Sequence, residues 1–336
     1  MIRIKREKAW LRHFVAREEL DLVISDNRYG LTTPGVFCIF MTHQLLIKTP
    51  FGLWADRMLQ LLNYRTIRRF SRCWVPDIAP VGLAGELSHP RRMPAITTRY
   101  IGWLSRFGGG GAAGGRAGQA PKSGERRRSG GERHGLFLLA LLSGPEPQRT
   151  LLEKDILRQA AKLDGSDRRL VIVRGLPGGG KPLSGLPASP QPAASGLPGW
   201  ITLHDHLPAR VLEPLIRDAD LVLARPGYST VMDLERLGKR ALLIPTPGQT
   251  EQEYLGPYLA QKGWASCVDQ RDFSLAEAFE MVASGGDGGR VAGPAEGPGT
   301  GAAAVAEPDG RQGAEPGAAE PSGQLAVEIE AVLAML

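Results

Sequence analysis

The sequence has 336 residues, 42% of them hydrophobic, and a net charge of +6, which is enough for two domains with apolar cores. No apolar run reaches the roughly 18 residues of a membrane-spanning helix, and no signal-peptide pattern follows the basic N-terminus. The three cysteines, Cys38, Cys73 and Cys267, form no CxxC pair. This argues against a disulfide framework or a zinc site and favours a reducing compartment, the cytoplasm.

Charge is distributed unevenly along the chain. Residues 1–106 contain 17 Lys and Arg against 8 Asp and Glu, whereas residues 135–336 contain 18 against 25. A basic first half predicts an anionic partner, such as a phosphate-bearing acceptor or an anionic membrane surface. A solvated basic surface without a partner explains the same pattern. Nucleic acid is not expected, because the basic residues are not interleaved with aromatic ones.

Three segments of low complexity divide the chain. Residues 108–134 are rich in Gly and Arg and predict a flexible linker. Residues 176–199 and 284–323, rich in Pro, Gly and Ala, predict a loop insertion and a disordered segment. The expected organisation is a first domain at 1–107, the linker, a second domain at 135–283 containing the insertion, the disordered segment, and a C-terminal helix at 324–336.

The first domain begins with a basic helical stretch and continues with short apolar runs. The pattern predicts strands at 20–25, 36–42 and 71–76, and a helix at 54–70. Asn27 and Gly30 lie in the turn-rich loop after the first strand. His43 follows the second strand in a polar cluster. It is a candidate general base, because the pKa of histidine lies near neutral pH, and a buried structural histidine is an equal alternative.

The second domain alternates strands and helices. Strands are predicted at 136–142, 169–174, 200–203, 220–224, 241–244 and 264–268, and helices at 149–163, 209–217, 229–237 and 251–262. This alternation predicts a parallel sheet with helices on both faces. Ligands of such sheets bind at the carboxyl ends of the strands.

Three strand-to-helix turns carry the candidate ligand-binding residues. In the turn at 143–149, Ser143 and Gly144 leave room for a phosphate at a helix N-terminus, although many such turns bind nothing. In the turn at 224–233, Gly227 permits close backbone approach and Ser229 or Thr230 can cap the helix. Asp233 is then placed to accept hydrogen bonds from a ribose, or merely complements the helix dipole.

The third turn, at 245–254, is crowded with polar side chains. Gln249, Gln252 and Glu253 have the donors and acceptors that sugar hydroxyls need. The alternative is a capping box, with Thr250 as the N-cap and Glu253 three residues later. Both interpretations are compatible.

The segment RPGYSTVMDLERLGKRALLIPTPGQTEQEYLGPYLAQKGWA resembles the C-terminal signature of glycosyltransferase family 28. SGPEPQR is similar to the donor-phosphate loop of that family, and DLVISDNRYGL with FMTHQL resembles part of its acceptor domain. The resemblance implies a GT-B-like α/β fold, with two Rossmann-like parallel-sheet domains, a cleft between them and an incomplete N-terminal domain. It also implies transfer of a sugar from a UDP-sugar to a hydroxyl acceptor, with UDP-sugar as a substrate and no cofactor.

The resemblance also implies roles for individual residues. Asp233 would bind the donor ribose, although the family usually has Glu there; Gln252 and Glu253 would contact the sugar. Donor-side expectations extend to Ser143, Gly144, His206, Leu207, Arg225, Gly227, Ser229, Thr230 and Gln249, and acceptor-side expectations to Asn27, Gly30 and His43. His206, outside this resemblance, is more typical of an ordinary surface histidine. No metal is expected, because no Asp-x-Asp motif is present.

The resemblance has one departure. The glycine-rich turn that opens the family's N-terminal domain has no counterpart before Asp21, which leaves activity of the chain in question. Two alternatives therefore stay open: a sugar-nucleotide hydrolase or epimerase on the same scaffold, and a truncated, non-catalytic nucleotide-sugar-binding protein. A lipid-linked acceptor implies a cytoplasmic protein peripheral to the inner face of the plasma membrane.

Overall fold

A computed structural model describes residues 2–107, 135–177, 197–285 and 321–335. It divides into two compact units, Met1–Leu104 with Glu296–Leu336, and Ser105–Ala295. The predicted linker at 108–134, most of the predicted insertion at 176–199 and most of the segment 284–323 lie outside the described residues. Within the described ranges, no helix is long and apolar enough to cross a membrane.

The first unit contains a four-stranded parallel sheet with the strand order β1-β2-β3-β4. Its elements are α1 (Ile2–Glu18), β1 (Leu22–Asp26), β2 (Phe37–Met41), α2 (Leu53–Ile67), β3 (Arg72–Val75), a 3-10 turn (Gly85–Leu87) and β4 (Thr98–Tyr100). The apolar runs FCIFM and RCWV form the two central strands, and β3 is buried along its whole length, as expected for a parallel strand covered on both faces. The strand β4 was not predicted.

A buried carboxylate organises the loop that follows β3. Asp77 is fully buried, and its oxygens accept hydrogen bonds from the backbone N–H groups of Leu83 (3.0 Å) and Ala84 (3.1 Å), the Ser88 hydroxyl (2.6 Å) and the Trp103 indole (2.9 Å). Hydrogen bonds to an ionised acceptor are among the stronger ones in proteins. They hold residues 77–103 against the carboxyl end of the sheet.

The second unit contains a six-stranded parallel sheet with the order β10-β9-β8-β5-β6-β7. Its elements are β5 (Leu136–Leu141), α3 (Gln148–Ala160), β6 (Arg168–Val173), β7 (Ile201–His204), α4 (Ala209–Asp218), β8 (Leu221–Ala224), α5 (Tyr228–Arg236), β9 (Ala241–Leu243), α6 (Thr250–Gln261), β10 (Ser266–Cys267) and α7 (Leu275–Ala283). The expected doubly covered α/β architecture is confirmed, because adjacent strand residues whose side chains point to opposite faces, such as Leu138 with Leu139 and Val222 with Leu223, are all buried.

The C-terminal helix belongs with the first unit. α8 (Pro321–Leu333) begins three residues earlier than the predicted segment 324–336. Its Val332 is buried with Ile39, Trp74 and Ile101, and Glu328 accepts a hydrogen bond from Arg72 at 2.9 Å. The chain therefore returns to its first sheet after completing the second.

Candidate functional site

The three predicted turns lie at one edge of the second sheet. They follow β5, β8 and β9, which are consecutive in the order β9-β8-β5 and pair in parallel. Parallel strands end at the same edge, so residues 142–149, 225–230 and 244–253 come together there. The strand order thus brings together three turns that are distant in the sequence, and the interpretation of this edge as a donor site depends on their proximity.

The turn after β5 presents an exposed Ser143 and Gly144, and Gly144 has a left-handed φ of 99°. The first turn of α3 already holds a carboxylate. Glu146 accepts hydrogen bonds from the backbone N–H of Thr150 (3.2 Å) and from Nε of Arg149 (2.7 Å). A phosphate bound at the N-terminus of α3 would therefore lie beside the Glu146 carboxylate, whereas the sequence predicted only unpaired N–H groups there.

Below this turn lies a buried ionic cluster, which we call the Glu153 cluster: Arg149, Glu153, Arg174 and Asp205. Glu153 is fully buried and accepts from Arg149 Nη1 (2.9 Å) and Arg174 Nε (2.8 Å). Arg174 also donates to Asp205 Oδ1 at 2.6 Å. Buried charges are tolerated when they are paired and hydrogen-bonded, and this cluster ties α3 to the carboxyl ends of β6 and β7.

Arg225, at the end of β8, is held by hydrogen bonds within the protein. Its Nη1 donates to the carbonyl oxygens of Ile244 (2.8 Å) and Pro245 (3.0 Å), and its Nη2 donates to Gln148 O (3.1 Å) and Gln270 Oε1 (2.6 Å). Burial lowers the pKa of Arg225 to about 10, so the side chain remains a cation at neutral pH. Arg225 therefore supplies a buried positive charge and joins the turns after β5, β8 and β9.

The helix that follows Arg225 begins differently from the prediction. Gly227 is the N-cap of α5, and the helix has no side-chain cap, so the prediction that Ser229 or Thr230 caps it is wrong. Both residues fall instead in the first helical turn, because the helix starts at Tyr228. Ser229 is exposed and Thr230 is half-buried, which leaves the Ser229 hydroxyl at the surface of this edge.

Asp233 is buried in α5 and already has partners. Its Oδ1 accepts from the Ser105 hydroxyl (2.7 Å) and from the backbone N–H of Arg106 (3.1 Å), and its Oδ2 lies 2.8 Å from Arg106 Nε. A carboxylate offers about four acceptor positions, and these contacts use three. A ribose hydroxyl would therefore take the remaining position or displace one of these partners.

The polar residues after β9 bind one another and the local backbone. Gln252 accepts from the backbone N–H of Thr246 (2.9 Å) and donates to Gln249 Oε1 (2.6 Å), and Glu253 accepts from the backbone N–H of Gly248 (2.8 Å). The N-cap of α6 is Gln249, without a side-chain cap, so the predicted capping box is wrong. A sugar bound here would contact a turn whose conformation is fixed by these hydrogen bonds.

The segment after β7 is placed by the Glu153 cluster. The backbone N–H of Arg174 donates to His204 O at 2.8 Å, and that of Leu176 donates to Asp205 O at 2.8 Å. His206 is exposed and Leu207 is half-buried. His206 and Leu207, two of the predicted donor-side residues, thus follow a strand end that these hydrogen bonds hold at the same edge of the sheet.

The predicted acceptor-side residues lie in the first unit. Asn27 has a left-handed φ of 51° and accepts from the Thr42 hydroxyl at 3.3 Å, which links the ends of β1 and β2 beside the half-buried His43. Gly30 faces α1: a Cβ there would lie 2.6 Å from Glu7 Cβ. Gly30 is therefore explained by helix packing, whereas Asn27 and His43 follow strand ends.

The second unit also matches known proteins. Residues 209–285 match the family described as the glycosyltransferase family 28 C-terminal domain. A curated relative from Thiobacillus denitrificans, UDP-N-acetylglucosamine–N-acetylmuramyl-(pentapeptide) pyrophosphoryl-undecaprenol N-acetylglucosamine transferase, is 38% identical over 82 residues, which are 24% of this chain and 22% of that protein. The chain therefore matches about a fifth of the length of this relative.

Solved structures share the fold. The calicheamicin glycosyltransferase CalG4 superposes with a TM-score of 0.50 at 14% identity, over 84% of this chain and 71% of that one. The kitacinnamycin glycotransferase gives a TM-score of 0.50 at 13% identity, over 82% and 70%. The expected GT-B-type fold with two parallel α/β sheets is confirmed.

Sequence reasoning missed several residues near the candidate site. Ser105 and Arg106 are more than 120 positions from Asp233, and no local pattern signals such a contact. Thr246 lies in the third predicted turn without a predicted role, although it is buried at the edge of the sheet. A Cβ built on Gly144, in the turn after β5, would lie 3.5 Å from the Thr246 hydroxyl, a proximity that sequence spacing does not specify.

Proposed function

We propose that the chain is a glycosyltransferase that binds a UDP-sugar at the carboxyl edge of its second sheet and transfers the sugar to a hydroxyl acceptor. The observation that carries the proposal is the convergence of the turns after β5, β8 and β9 within a unit whose residues 209–285 match the glycosyltransferase family 28 C-terminal domain. The Thiobacillus denitrificans relative supports the substrate class, because its name specifies a UDP-sugar and a lipid-linked acceptor.

The donor would lie across the three turns. Ser143, Gly144, Gly227 and Ser229 would face the diphosphate, with the Arg225 cation beneath them. Asp233 would bind the ribose, and the turn at Gln249, Gln252 and Glu253 would contact the sugar. His206 and Leu207, with Thr230 at the start of α5, complete the proposed donor contacts.

The acceptor hydroxyl attacks the anomeric carbon of the sugar and gives up its proton, while UDP departs with the bonding electrons. We assign His43 as the base that accepts this proton, because a histidine at neutral pH is suited to the task. Asn27 would orient the acceptor from the neighbouring loop. Positive charge and fixed donors near the departing diphosphate lower the barrier, and the proposed reaction uses no cofactor or metal.

A membrane-bound acceptor would explain one face of α2. Trp54, Met58, Leu61 and Leu62 lie on this face, and Trp54 and Leu61 are 76% and 65% exposed. Arg57 and Arg65 on the same helix are also exposed. An exposed apolar helix face bordered by arginines fits the surface of an anionic bilayer. We propose that this face holds the protein at such a surface, on the cytoplasmic side.

Donor binding is tested by calorimetry with UDP, UDP-sugars and 2′,3′-dideoxy-UDP. We expect the protein to prefer the nucleotides that carry a ribose diol, and Asp233→Asn to weaken that preference. Arg106→Gln serves as a matched control, because it disturbs the same contact and leaves the carboxylate in place. Absence of binding to every uridine nucleotide would rule out the proposed function.

Product analysis separates the alternatives. A transferase consumes UDP-sugar only when an acceptor is present, whereas a hydrolase or epimerase acts on UDP-sugar alone, and a non-catalytic binding protein does neither. A His43→Gln variant that binds UDP-sugar normally but has lost transfer would support the assigned base. Transfer at the wild-type rate would reject that assignment.

Membrane attachment is tested by co-sedimentation with phosphatidylglycerol or phosphatidylcholine vesicles. We expect binding to the anionic vesicles, and a loss of at least about tenfold in the double variant Trp54→Ser/Leu61→Ser, because burial of apolar surface contributes most of such an affinity. Leu151→Ser is the control, since Leu151 is an exposed apolar residue on α3 of the second unit. Equal loss in both variants would contradict the assignment of α2.

A further inference from the structure

Thr246 is a buried residue whose hydroxyl is unused. It is only 1% exposed, and its backbone is fully engaged: the N–H donates to Gln252 Oε1 (2.9 Å), and the carbonyl accepts from the N–H of Gln249 (3.0 Å). Its Oγ1 has no hydrogen-bond partner among the residues that the structure describes. Burying a hydroxyl without a partner is unfavourable, so this position needs an explanation.

The hydroxyl points towards the turn after β5. A Cβ built on Gly144 would lie 3.5 Å from Thr246 Oγ1, so the side chain reaches across the end of β8 to the neighbouring loop. Gly144 has a φ of 99° and, as a glycine, places no side chain between the Thr246 hydroxyl and the backbone of the turn. The Thr246 hydroxyl therefore faces the backbone of the turn that precedes the N-terminus of α3, a 13-residue helix.

A buried cation lies next to this place. Arg225 bonds to the carbonyl oxygens of Ile244 and Pro245, the two residues immediately before Thr246. Its Nε is a second buried atom without a partner in the described ranges. The acceptors recorded for its guanidinium are carbonyl and amide oxygens, which hold the side chain without neutralising its charge. An anion close to Thr246 would be attracted to that charge.

We propose that the Thr246 hydroxyl donates a hydrogen bond to the diphosphate of the donor, between the turns after β5 and β9 and above the Arg225 cation. This assignment rests on the proposed function and adds a binding residue to it. Valine at this position would keep the volume of threonine and remove the donor, whereas serine would keep the donor. The two substitutions therefore separate the hydroxyl from the shape of the side chain.

The experiment measures the binding of UDP, uridine and inorganic pyrophosphate to the wild type, Thr246→Val and Thr246→Ser by calorimetry, together with thermal unfolding of each protein. We expect Thr246→Val to bind UDP and pyrophosphate about tenfold more weakly, the loss of one hydrogen bond to a charged group, and uridine as the wild type does. Thr246→Ser should keep most of the UDP affinity. Thr246→Val should unfold at the same or a higher temperature, because it removes an unpaired buried hydroxyl.

The outcomes are distinguishable. A wild type that binds none of the three ligands would overturn the proposed function and this inference with it. A wild type that binds UDP, with Thr246→Val binding it equally well, would overturn the inference alone. Equal loss of uridine and UDP affinity, or a lower unfolding temperature in Thr246→Val, would show that Thr246 shapes the turn rather than contacts the diphosphate.

Discussion

Two buried arginines occupy equivalent positions in the second sheet and are stabilised differently. Arg174 follows β6 and Arg225 follows β8, and they are 2% and 1% exposed. Arg174 is paired with the carboxylates of Glu153 and Asp205, whereas the acceptors recorded for Arg225 are carbonyl and amide oxygens. A carboxylate cancels the charge of an arginine, but a carbonyl dipole holds the guanidinium in place and leaves its charge available.

The difference suggests a division of labour along one sheet edge. The neutralised Glu153 cluster fixes the strand ends and projects little charge, so it serves as a scaffold. Arg225 lies among the turns proposed to bind the diphosphate and keeps its positive charge. This charge attracts an anion more strongly in a buried site than in water, because the dielectric constant of the site is lower. Position in the fold alone would not distinguish the two arginines, whereas the chemistry of their acceptors does.

The largest expected effect comes from breaking the paired cluster. Glu153→Gln leaves Arg149 and Arg174 buried without their shared carboxylate, and it should lower the free energy of unfolding by about 3–5 kcal/mol. Urea denaturation measures this change. Glu213→Gln is the control, because it removes an i,i+4 partner of the exposed Arg217 and should change stability by less than about 1 kcal/mol. Similar values for both variants would contradict the scaffold role.

Sequence reasoning found most of this architecture, because the signals are local. The continuous apolar runs of β5 and β8 and the three- and four-residue spacing of α3 are present in the sequence. The strand β4, with the sequence TRY, contains no apolar run that would indicate a buried strand. The helix α7 was not predicted, although the sequence contains a signal for its start: Ser274 is followed three residues later by Glu277. The Ser274 side chain accepts a hydrogen bond from the backbone N–H of Glu277 at 3.3 Å.

The candidate site was less predictable than the fold. The sequence identified the three turns, because glycines and polar residues follow apolar runs there. It did not show that Arg225 bonds to Ile244 and Pro245, or that Ser105 approaches Asp233, because these contacts join segments that are not neighbours in the sequence. Whether a polar residue is still available for a ligand is decided by partners that are distant in the chain.

Arg225→Met tests whether Arg225, unlike the carboxylate-paired Arg174, contributes its charge to UDP binding. It removes four hydrogen bonds and should lower the free energy of unfolding by about 2 kcal/mol, since relief of a buried unpaired charge offsets part of the loss. It should also weaken UDP binding at least about tenfold. Arg174→Met should destabilise the protein yet keep UDP affinity near the wild-type value. Equal losses of UDP affinity in the two variants, measured by calorimetry, would remove the distinction between the arginines.

Gly144→Ala probes the space between Thr246 and the turn after β5. Because φ is 99° at this position, alanine should lower the free energy of unfolding by about 1–2 kcal/mol, and its methyl group should hinder diphosphate binding. Gly199→Ala is the control, since that glycine has open space around it and no left-handed φ. An unchanged UDP affinity in a folded Gly144→Ala protein would argue against a diphosphate at this place.

The smallest expected effect concerns His204, which lies beside the Glu153 cluster at the end of β7. Burial lowers the pKa of His204 below its ordinary value of 6.5. The unfolded chain therefore takes up a proton first as the pH falls below 6.5, and this residue makes stability decrease on acidification. His204→Leu should reduce that decrease in urea denaturation at pH 7 and pH 5. In the Glu153→Gln background, the uncompensated Arg174 charge should lower the pKa of His204 further, as an NMR titration would show. An unchanged pKa of His204 in that background would mean that Glu153 does not cancel the Arg174 charge at this strand end.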